Sequence, residues 1–247
     1  MFAEIPPEQF AAALDDCARE VLAEGRVERP PVDAFDLAEQ LDFVVARDSA
    51  MDVRARFVRL GDGNGVRRGT ILMADDPRLE RRHWAVAHEI GESVAHRVFA
   101  LLGVALADLP PAARERVANH LASYLLLPRD WFAADGRTVD WDLWELKRIY
   151  RTASHELIAR RMLEMPPPVI VTLFDQGRLQ WRRSNALRRP PPLTPAETAC
   201  WRLAWEQGQP TSCTDEDLPE EVEGVRSWPV HEPGWRREIL RTALRLW

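Results

Sequence analysis

The sequence predicts an α+β fold that is mostly helical and contains a small β-sheet. Apolar residues recur at helical spacing over long stretches, most clearly in residues 78–101 and in the run RERVANHLASYLLL. Three short runs between residues 43 and 74 are instead rich in β-branched and aromatic residues. The segment GDGNG, residues 61–65, is a strong turn signal between two of these runs. The runs therefore predict a small antiparallel sheet placed among the helices.

The first half of the chain is predicted to be a series of helices and strands. Residues 7–24 carry one apolar face and predict the first helix, and Asp33 is expected to cap a short second helix. Three predicted strands and a long predicted helix follow, over residues 43–47, 54–60, 69–74 and 78–101. The next helix is expected to start at Pro110 and Pro111 and to end at Pro128.

The second half predicts a helix pair, a hairpin and a Trp-rich C-terminal region. Residues 140–163 are predicted to form two helices that separate near residues 151–153, with Ser154 capping the second. The tripeptide Asp175-Gln176-Gly177 is expected to form the turn of a β-hairpin. Beyond a proline-rich linker, helices are predicted near residues 195–206 and over the final segment WRREILRTALRLW. The predicted regions are therefore residues 1–135, 136–189 and 190–247.

Composition and charge argue against several classes of protein. The formal net charge of −6 argues against a protein that coats nucleic acid through its overall field. The three cysteines are scattered and form no C-x-x-C pair, so we expect a reduced, cytoplasmic protein without a cysteine zinc site. The acidic, amphipathic N-terminus is unlike a signal peptide. Since no apolar run approaches the roughly 18 residues of a membrane span, we expect no membrane partner.

The segment HEIGE, from His88 to Glu92, differs by one residue from the H-E-x-x-H signature of zinc peptidases. In a helix, residues four apart lie on one face, about 6 Å apart along the axis, so His88 and Glu92 can point at one ion. Glu89 lies beside them, where a general base can act on a metal-bound water. The segment therefore predicts a divalent metal site with Glu89 as the catalytic residue. The alternative is an exposed helix face that carries charges of both signs.

A catalytic metal site needs a third protein ligand, and the next predicted helix offers one. Glu115 and Asn119 are four residues apart and share a face. Glu115 is the candidate ligand, and Asn119 is expected to hydrogen-bond the free ring nitrogen of His88. His120, one position further round, is a weaker candidate. His96 lies about 12 Å along the helix from His88 and is kept as an additional structural or substrate-contacting residue.

The two segments together resemble those of the ImmA/IrrE family of metallopeptidases. That family shows A-H-E-L-G-H, a short loop, and then E-x-x-A-N/D-x-F-A-x-x-L-L-M-P. This chain has A-H-E-I-G-E from Ala87 and then E-R-V-A-N-H-L-A-S-Y-L-L-L-P from Glu115. The resemblance covers roughly residues 5–135. The helix pair and hairpin also look like the helix-turn-helix segment that follows the peptidase core in IrrE-type regulators.

The resemblance implies a zincin-like core with one divalent metal, zinc first, held by His88, Glu92 and Glu115. It also implies a regulatory endopeptidase that cuts repressor-like, DNA-binding proteins in a stress or mobile-element response. Glu92 departs from the family, which has a second His there. Two carboxylates neutralise a divalent cation, which weakens it as a Lewis acid and makes Mn or Fe(II) more suitable. The alternative function is a non-catalytic regulator that keeps the fold to bind a protein or DNA.

The predicted helix pair raises a separate question about DNA. Residues 136–189 contain 11 Lys and Arg against 6 Asp and Glu, although the whole chain is acidic. Arg160 and Arg161, on the second helix of the pair, are candidate phosphate contacts. The alternative, which is favoured, is a helix pair that packs on the rest of the protein and leaves its arginines in solvent.

Overall fold

The computed structural model divides the chain into two compact units. Unit 1 is Met1–Ala134 with Arg148–Ser154, and unit 2 is Asp135–Lys147 with His155–Trp247. The described residues contain eight helices and two sheets, which confirms the α+β class. None of these helices is long and apolar enough to cross a membrane. The structure describes residues 5–48, 55–61, 67–105, 110–213 and 218–245.

Four helices build most of unit 1: α1 (Pro7–Glu24), α2 (Ala34–Gln40), α3 (Leu79–Leu101) and α4 (Pro111–Leu126). Asp33 caps α2 as predicted, because its carboxylate accepts hydrogen bonds from the backbone amides of Phe35 and Asp36. The long helix α3 buries a stripe at helical spacing that includes Ala87, Ile90 and Val94. Helix α5 (Arg129–Thr138), which the sequence did not predict, follows Pro128.

Helices α3 and α4 approach each other closely at Gly91. A Cβ atom at this position would lie 2.9 Å from the backbone oxygen of Ala118 and 3.0 Å from the Cβ of Leu121. Only a glycine fits here without movement of the α4 backbone. Gly91 stands between Glu89 and Glu92 on α3, and Ala118 stands next to Asn119 on α4. The close approach therefore holds the two candidate segments against each other.

The sheet of unit 1 has three strands: β1 (Val44–Arg47), β2 (Ala55–Gly61) and β3 (Arg67–Met73). Their order is β1-β3-β2, with β2 antiparallel and β1 parallel to β3. The predicted antiparallel sheet is therefore wrong for β1, because β3 lies between β1 and its neighbour in sequence. The predicted turn at residues 61–65 lies, from residue 62 on, outside the described residues. Strand β2 is left at an edge of the sheet.

Unit 2 contains a five-stranded antiparallel sheet in the order β5-β4-β8-β7-β6. The predicted hairpin is confirmed, with Gln176 and Gly177 both at positive φ in the turn, as a two-residue hairpin requires. The two helices of the predicted pair are α6 (Leu143–Ile149) and α7 (His155–Met162). The strands are β4 (Val169–Asp175), β5 (Arg178–Ser184), β6 (Thr211–Cys213), β7 (Val222–Glu232) and β8 (Trp235–Leu244).

Two sequence predictions about the C-terminal region are wrong. The final segment was predicted as a helix, but its residues 235–244 form β8 at the centre of the sheet, and residues 246 and 247 lie outside the described residues. Because β8 is buried on both faces, it lacks the alternation of polar and apolar residues that marks a half-buried strand. The predicted boundary after residue 189 also fails, since the hairpin β4–β5 and the C-terminal strands share one sheet. Helix α8 (Pro195–Gln207) is where a helix was predicted.

We expect the substitution Gly91→Ala to lower the free energy of unfolding by about 1–3 kcal/mol, because the added methyl group overpacks the contact with α4. Urea denaturation followed by circular dichroism measures the change. At an exposed helix position, a change from glycine to alanine raises the free energy of unfolding by about 1 kcal/mol. The control is therefore the reverse substitution at an exposed site of α3, Ala100→Gly, which should lower the free energy of unfolding by about that amount. A Gly91→Ala protein as stable as the original would contradict the close-packing account.

Candidate metal centre

Helix α3 brings three potential metal ligands together. His88, Glu89 and Glu92 each offer one ligand atom, and these atoms all lie within 4.8 Å of one another. This is the consequence of helical spacing, since His88 and Glu92 are one turn apart and Glu89 is adjacent. The predicted convergence on one face of α3 is therefore present in unit 1.

Helix α4 places Glu115 beside His88. Its Oε2 atom lies 3.6 Å from Nε2 of His88, and its side chain is 61% exposed. Two ligand atoms on a tetrahedral metal, each at the usual bond length, are separated by roughly 3.4 Å. The separation between His88 and Glu115 is therefore close to the one that a shared ion requires. The exposed carboxylate can make the small remaining adjustment.

Asn119 has a different partner from the one predicted. Its side-chain amide donates hydrogen bonds to the backbone oxygen of Glu115 at 2.9 Å and to Oε1 of Glu115 at 3.1 Å. No hydrogen bond joins Asn119 to His88 among the described residues, so the expected contact with the imidazole is not formed in this structure. The amide holds one oxygen of the Glu115 carboxylate, and the other oxygen faces His88. Asn119 thus orients a carboxylate and not the imidazole.

Glu89 is the most buried acid of the group, with 5% of its surface exposed. The backbone amide of Phe57, on β2, donates a hydrogen bond to its carboxylate. The other oxygen, Oε2, is buried and has no hydrogen-bond partner among the described residues. An unpartnered buried carboxylate oxygen is unfavourable unless a proton, a water molecule or a cation meets it.

The environment of Glu89 favours its protonated form. Burial is the largest cause that raises the pKa of this carboxyl, and the negative charges of Glu92 and Glu115 raise it further. His88 and the Phe57 amide act in the opposite direction and lower the pKa. A buried carboxyl with a raised pKa, placed beside potential metal ligands, is typical of a residue that accepts and returns a proton.

These side chains line a cleft of about 500 Å³ in unit 1. Strand β2 forms one wall with Ala55, Arg56 and Phe57, and α3 and α4 form the others. The lining residues that the structure describes include three carboxylates and one guanidinium, that of Arg56. The excess of negative charge, the imidazole and the unpartnered Oε2 of Glu89 fit a divalent cation. Arg56 and the Phe57 amide were not predicted from the sequence, because no motif indicates which strand lies over the helix.

The other histidines of unit 1 lie outside this group. His96 is exposed and hydrogen-bonds the backbone oxygen of Ser93. The ring of His120 packs edge-on against Phe10 of α1, with 5.6 Å between the ring centroids. His83 is only 3% exposed, and its Nδ1 accepts a hydrogen bond from the backbone amide of Ala34. Burial lowers the pKa of His83, which keeps the ring neutral and able to accept that bond.

The two arginines predicted to contact DNA have different surroundings in unit 2. Arg161 is fully buried and forms an ion pair with Glu164. A guanidinium without exposed surface cannot reach a phosphate in this structure, so that expectation is corrected. Arg160 is partly exposed, pairs with Glu156 at 2.8 Å, and stacks over the ring of Trp181 at 4.6 Å. The positive charge of Arg160 is therefore already paired within the protein.

Comparison with known proteins places this site in a family. The family model of the IrrE N-terminal-like domain matches residues 38–162, slightly more than half of the chain, and this range includes α3 and α4. Among solved structures, a Mycobacterium tuberculosis transcriptional regulator is similar, with a TM-score of 0.66 and 16% sequence identity. The match covers 93% of this chain and 75% of that one, and at such low identity it concerns the fold.

Among curated proteins there is no significant match to this sequence. The matched range contains the segment HEIGE and the segment that begins at Glu115, together with the strands and helices that bring them into one cleft. The chain therefore belongs to the IrrE N-terminal-like domain family of peptidases.

Proposed function

We propose that this protein is a metal-dependent endopeptidase of regulatory type, with its active site in the cleft of unit 1. The observation that carries the proposal is the buried carboxylate of Glu89. One of its oxygens has no partner among the described residues, and it stands within 4.8 Å of potential ligand atoms on His88 and Glu92. A structural role would pair that oxygen, whereas a catalytic role leaves it free for a water molecule.

Each residue of the site has a proposed role. His88, Glu92 and Glu115 would hold a divalent ion, and Asn119 would keep Glu115 turned toward it. When bound, the ion would polarise the substrate carbonyl and lower the pKa of its water. Glu89 would take a proton from the attacking water and deliver it to the leaving nitrogen of the peptide. The raised pKa of the buried Glu89 makes it a better proton acceptor than an exposed carboxylate.

The proposed metal is zinc, with Mn or Fe(II) as alternatives. The ligand set would contain one imidazole and two carboxylates, since Glu92 stands where the family has a histidine. Two negative charges on the ion reduce its strength as a Lewis acid and favour cations that prefer oxygen. The ligand set therefore predicts a slower or more selective peptidase than one with two histidines.

The proposed substrate is an extended segment of another protein. Strand β2 lies at the edge of its sheet and forms a wall of the cleft, so a peptide can lie along it as an added strand. A repressor-like, DNA-binding protein is the substrate class that the family likeness favours. The similar structure is itself called a transcriptional regulator, which supports a regulatory setting.

Substitutions that remove a proposed ligand should weaken zinc binding, whereas the substitution of a histidine for Glu92 should strengthen it. We expect His88→Ala and Glu115→Ala to weaken zinc binding by more than about 100-fold, since the loss of even an outer partner costs 10–100-fold. Asn119→Ala should weaken it by about tenfold, because Glu115 loses its orientation. Glu92→His should strengthen it by at least about tenfold, because zinc prefers imidazole nitrogen to carboxylate oxygen. Calorimetric titration of metal-free protein measures all four.

The matched control for this series is His96→Ala, at an exposed histidine about two turns beyond His88 on α3. It should leave the zinc affinity unchanged. If Glu92→His does not alter zinc affinity, Glu92 is not a ligand. If His88→Ala binds zinc as well as the original protein, the proposed site is wrong.

Cleavage should depend on Glu89 while metal binding does not. We expect Glu89→Gln to keep zinc but to lose at least about 10²-fold in proteolysis, because the amide cannot accept a proton from water. Incubation of the metal-loaded proteins with a cell lysate, followed by mass spectrometry of new N-termini, measures cleavage without a known substrate. New N-termini that appear equally with the Glu89→Gln protein would contradict the catalytic role. Their absence with the original protein would favour a non-catalytic regulator.

A specific feature of unit 2 favours a second candidate, a regulator that binds DNA. Four exposed arginines on β5 and the loop after it have no acidic partner among the described residues; we refer to them as the arginine strip. No acidic residue occurs between Asp175 and Glu197, so the charge along this edge is uninterrupted. Strand β5 is an edge strand, and its backbone and side chains are accessible. The strip consists of Arg178, Arg183, Arg188 and Arg189.

For this second candidate, affinity for a duplex oligonucleotide should fall steeply with salt. Replacing Arg183, Arg188 and Arg189 together by alanine should reduce the slope of log affinity against log salt by roughly 2–3, since each lost phosphate contact removes about 0.9. Fluorescence anisotropy between low and physiological salt measures both slopes. Arg202→Ala, at an exposed arginine outside the strip, is the control. Absence of binding at low salt, or an unchanged slope, would remove this candidate.

A further inference from the structure

Two cysteines of unit 2, Cys200 and Cys213, belong to neighbouring elements that pack together. Cys200 is fully buried on α8, and Cys213 is the last residue of β6 and partly buried. Cys213 packs against the hydrophobic cluster that contains Cys200, and it pairs in the sheet with Val225, whose backbone oxygen lies 3.8 Å from the sulfur of Cys200. Both are free thiols in this structure. Neither belongs to the metal centre, which lies in unit 1.

The sulfur of Cys200 is held in place by the backbone around it. Its thiol lies 3.4 Å from the backbone oxygen of Thr211, to which it donates, and it receives a hydrogen bond from the backbone amide of Ser227. Helix α8 itself is anchored from its first turn, where Glu197 receives two hydrogen bonds from Arg182 and one from Thr242. Cys200 is therefore a fixed partner for the strand that carries Cys213.

Cys213 is on the more adaptable side of the pair. Strand β6 has three residues and lies at the edge of the five-stranded sheet, paired only with β7. A short edge strand can shift by a fraction of an ångström at a lower free-energy cost than a central strand, because it is hydrogen-bonded to one neighbouring strand and not to two. Its partial exposure also lets a small oxidant reach the sulfur of Cys213 before that of Cys200. Burial raises the pKa of Cys200 to about 12, which keeps that thiol protonated and slow to react by itself.

We propose that Cys200 and Cys213 form a reversible intramolecular disulfide when the protein meets a hydroperoxide. The sulfur of Cys213 attacks the peroxide oxygen, the O–O bond breaks, and a sulfenic acid and one water or alcohol result. The sulfur of Cys200 then attacks the Cys213 sulfur, the S–O bond breaks, and the departing hydroxide takes up the Cys200 proton as water. The two thiols are oxidised by two electrons in total, and the hydroperoxide is reduced by the same two.

The bond would tie α8 to the edge strand β6 and close the chain between residues 200 and 213. Such a closure stabilises the folded unit chiefly because it restricts the unfolded chain. If the protein is in a reducing compartment, such a disulfide would be transient and responsive to redox conditions. Cys17 is a control within the same chain, because it is buried on α1 with a pKa raised to about 12, as Cys200 is, but no cysteine is among the groups that shift its pKa.

The test treats the full-length chain with hydrogen peroxide and counts thiols after denaturation. The three thiols should fall to one, with a mass loss of about 2 Da, and a dithiol reductant should restore all three. Peptide mapping without reduction should show the peptides of Cys200 and Cys213 joined. Thermal unfolding of the oxidised protein should shift upward by roughly 5–10 °C, and reduction should reverse the shift.

The variants Cys17→Ser and Cys213→Ser separate this proposal from general oxidation. Cys17→Ser should form the same cross-link, whereas Cys213→Ser should form none and should show no upward thermal shift. Because Cys213 is partly exposed, its serine variant is expected to fold, whereas Cys200→Ser places a hydroxyl in the core. The proposal is overturned if Cys213 is oxidised to a sulfinic acid while Cys200 stays a free thiol. It is equally overturned if Cys213 links two chains, or if all three thiols survive.

Discussion

The contact of Gly91 with the backbone of α4 connects sequence, packing and chemistry in unit 1. A side chain at this position would meet the oxygen of Ala118 at 2.9 Å, so the glycine sets how closely α3 and α4 can pack. That spacing brings Glu115, on α4, to 3.6 Å from His88, on α3. The same glycine lies inside the segment HEIGE, and its role there is to admit the neighbouring helix.

The second constraint is electrostatic, since negative charge is in excess among the described residues of the cleft. Among the described residues, three carboxylates and one guanidinium, that of Arg56, line it. Glu89 is buried, so water cannot compensate its charge, and the neighbouring acids raise its pKa further. A divalent ion held by His88, Glu92 and Glu115 would remove this conflict, and it would give the unpartnered oxygen of Glu89 a water molecule to bind. The carboxylate of Glu92 adds a negative charge beside Glu89 and thereby helps to raise its pKa.

Local periodicity predicted the parts of the site that depend on one helix. His88, Glu89 and Glu92 share a face because of helical spacing, and the pattern that begins at Glu115 gave the next helix its place in the site. The Phe57 amide could not be predicted, because it reaches Glu89 only through the position of β2 in the fold. The partner of Asn119 was wrong for a similar reason. An amide four residues after a carboxylate on one helix can bond locally, and that local bond was formed instead.

Unit 2 shows where sequence patterns mislead. Strand β8 is rich in residues that favour helices, such as Leu, Arg, Glu and Ala, yet tertiary pairing with β4 and β7 makes it a strand. Arginine is usually a surface residue, but Arg161 is buried and its charge is neutralised by an ion pair with Glu164. Cys200 and Cys213 are 13 positions apart and gave no signal, since only the packing of α8 against β6 brings them together.

The central claim is that His88, Glu92 and Glu115 share one metal ion. Anomalous diffraction at the zinc edge, from crystals of the full chain grown with zinc, tests it most directly. The account predicts one peak in the cleft, about 2.0–2.2 Å from a ring nitrogen of His88 and from one carboxylate oxygen each of Glu92 and Glu115. Zinc bound elsewhere, or a zinc in the cleft with Glu92 turned away from it, would contradict the account.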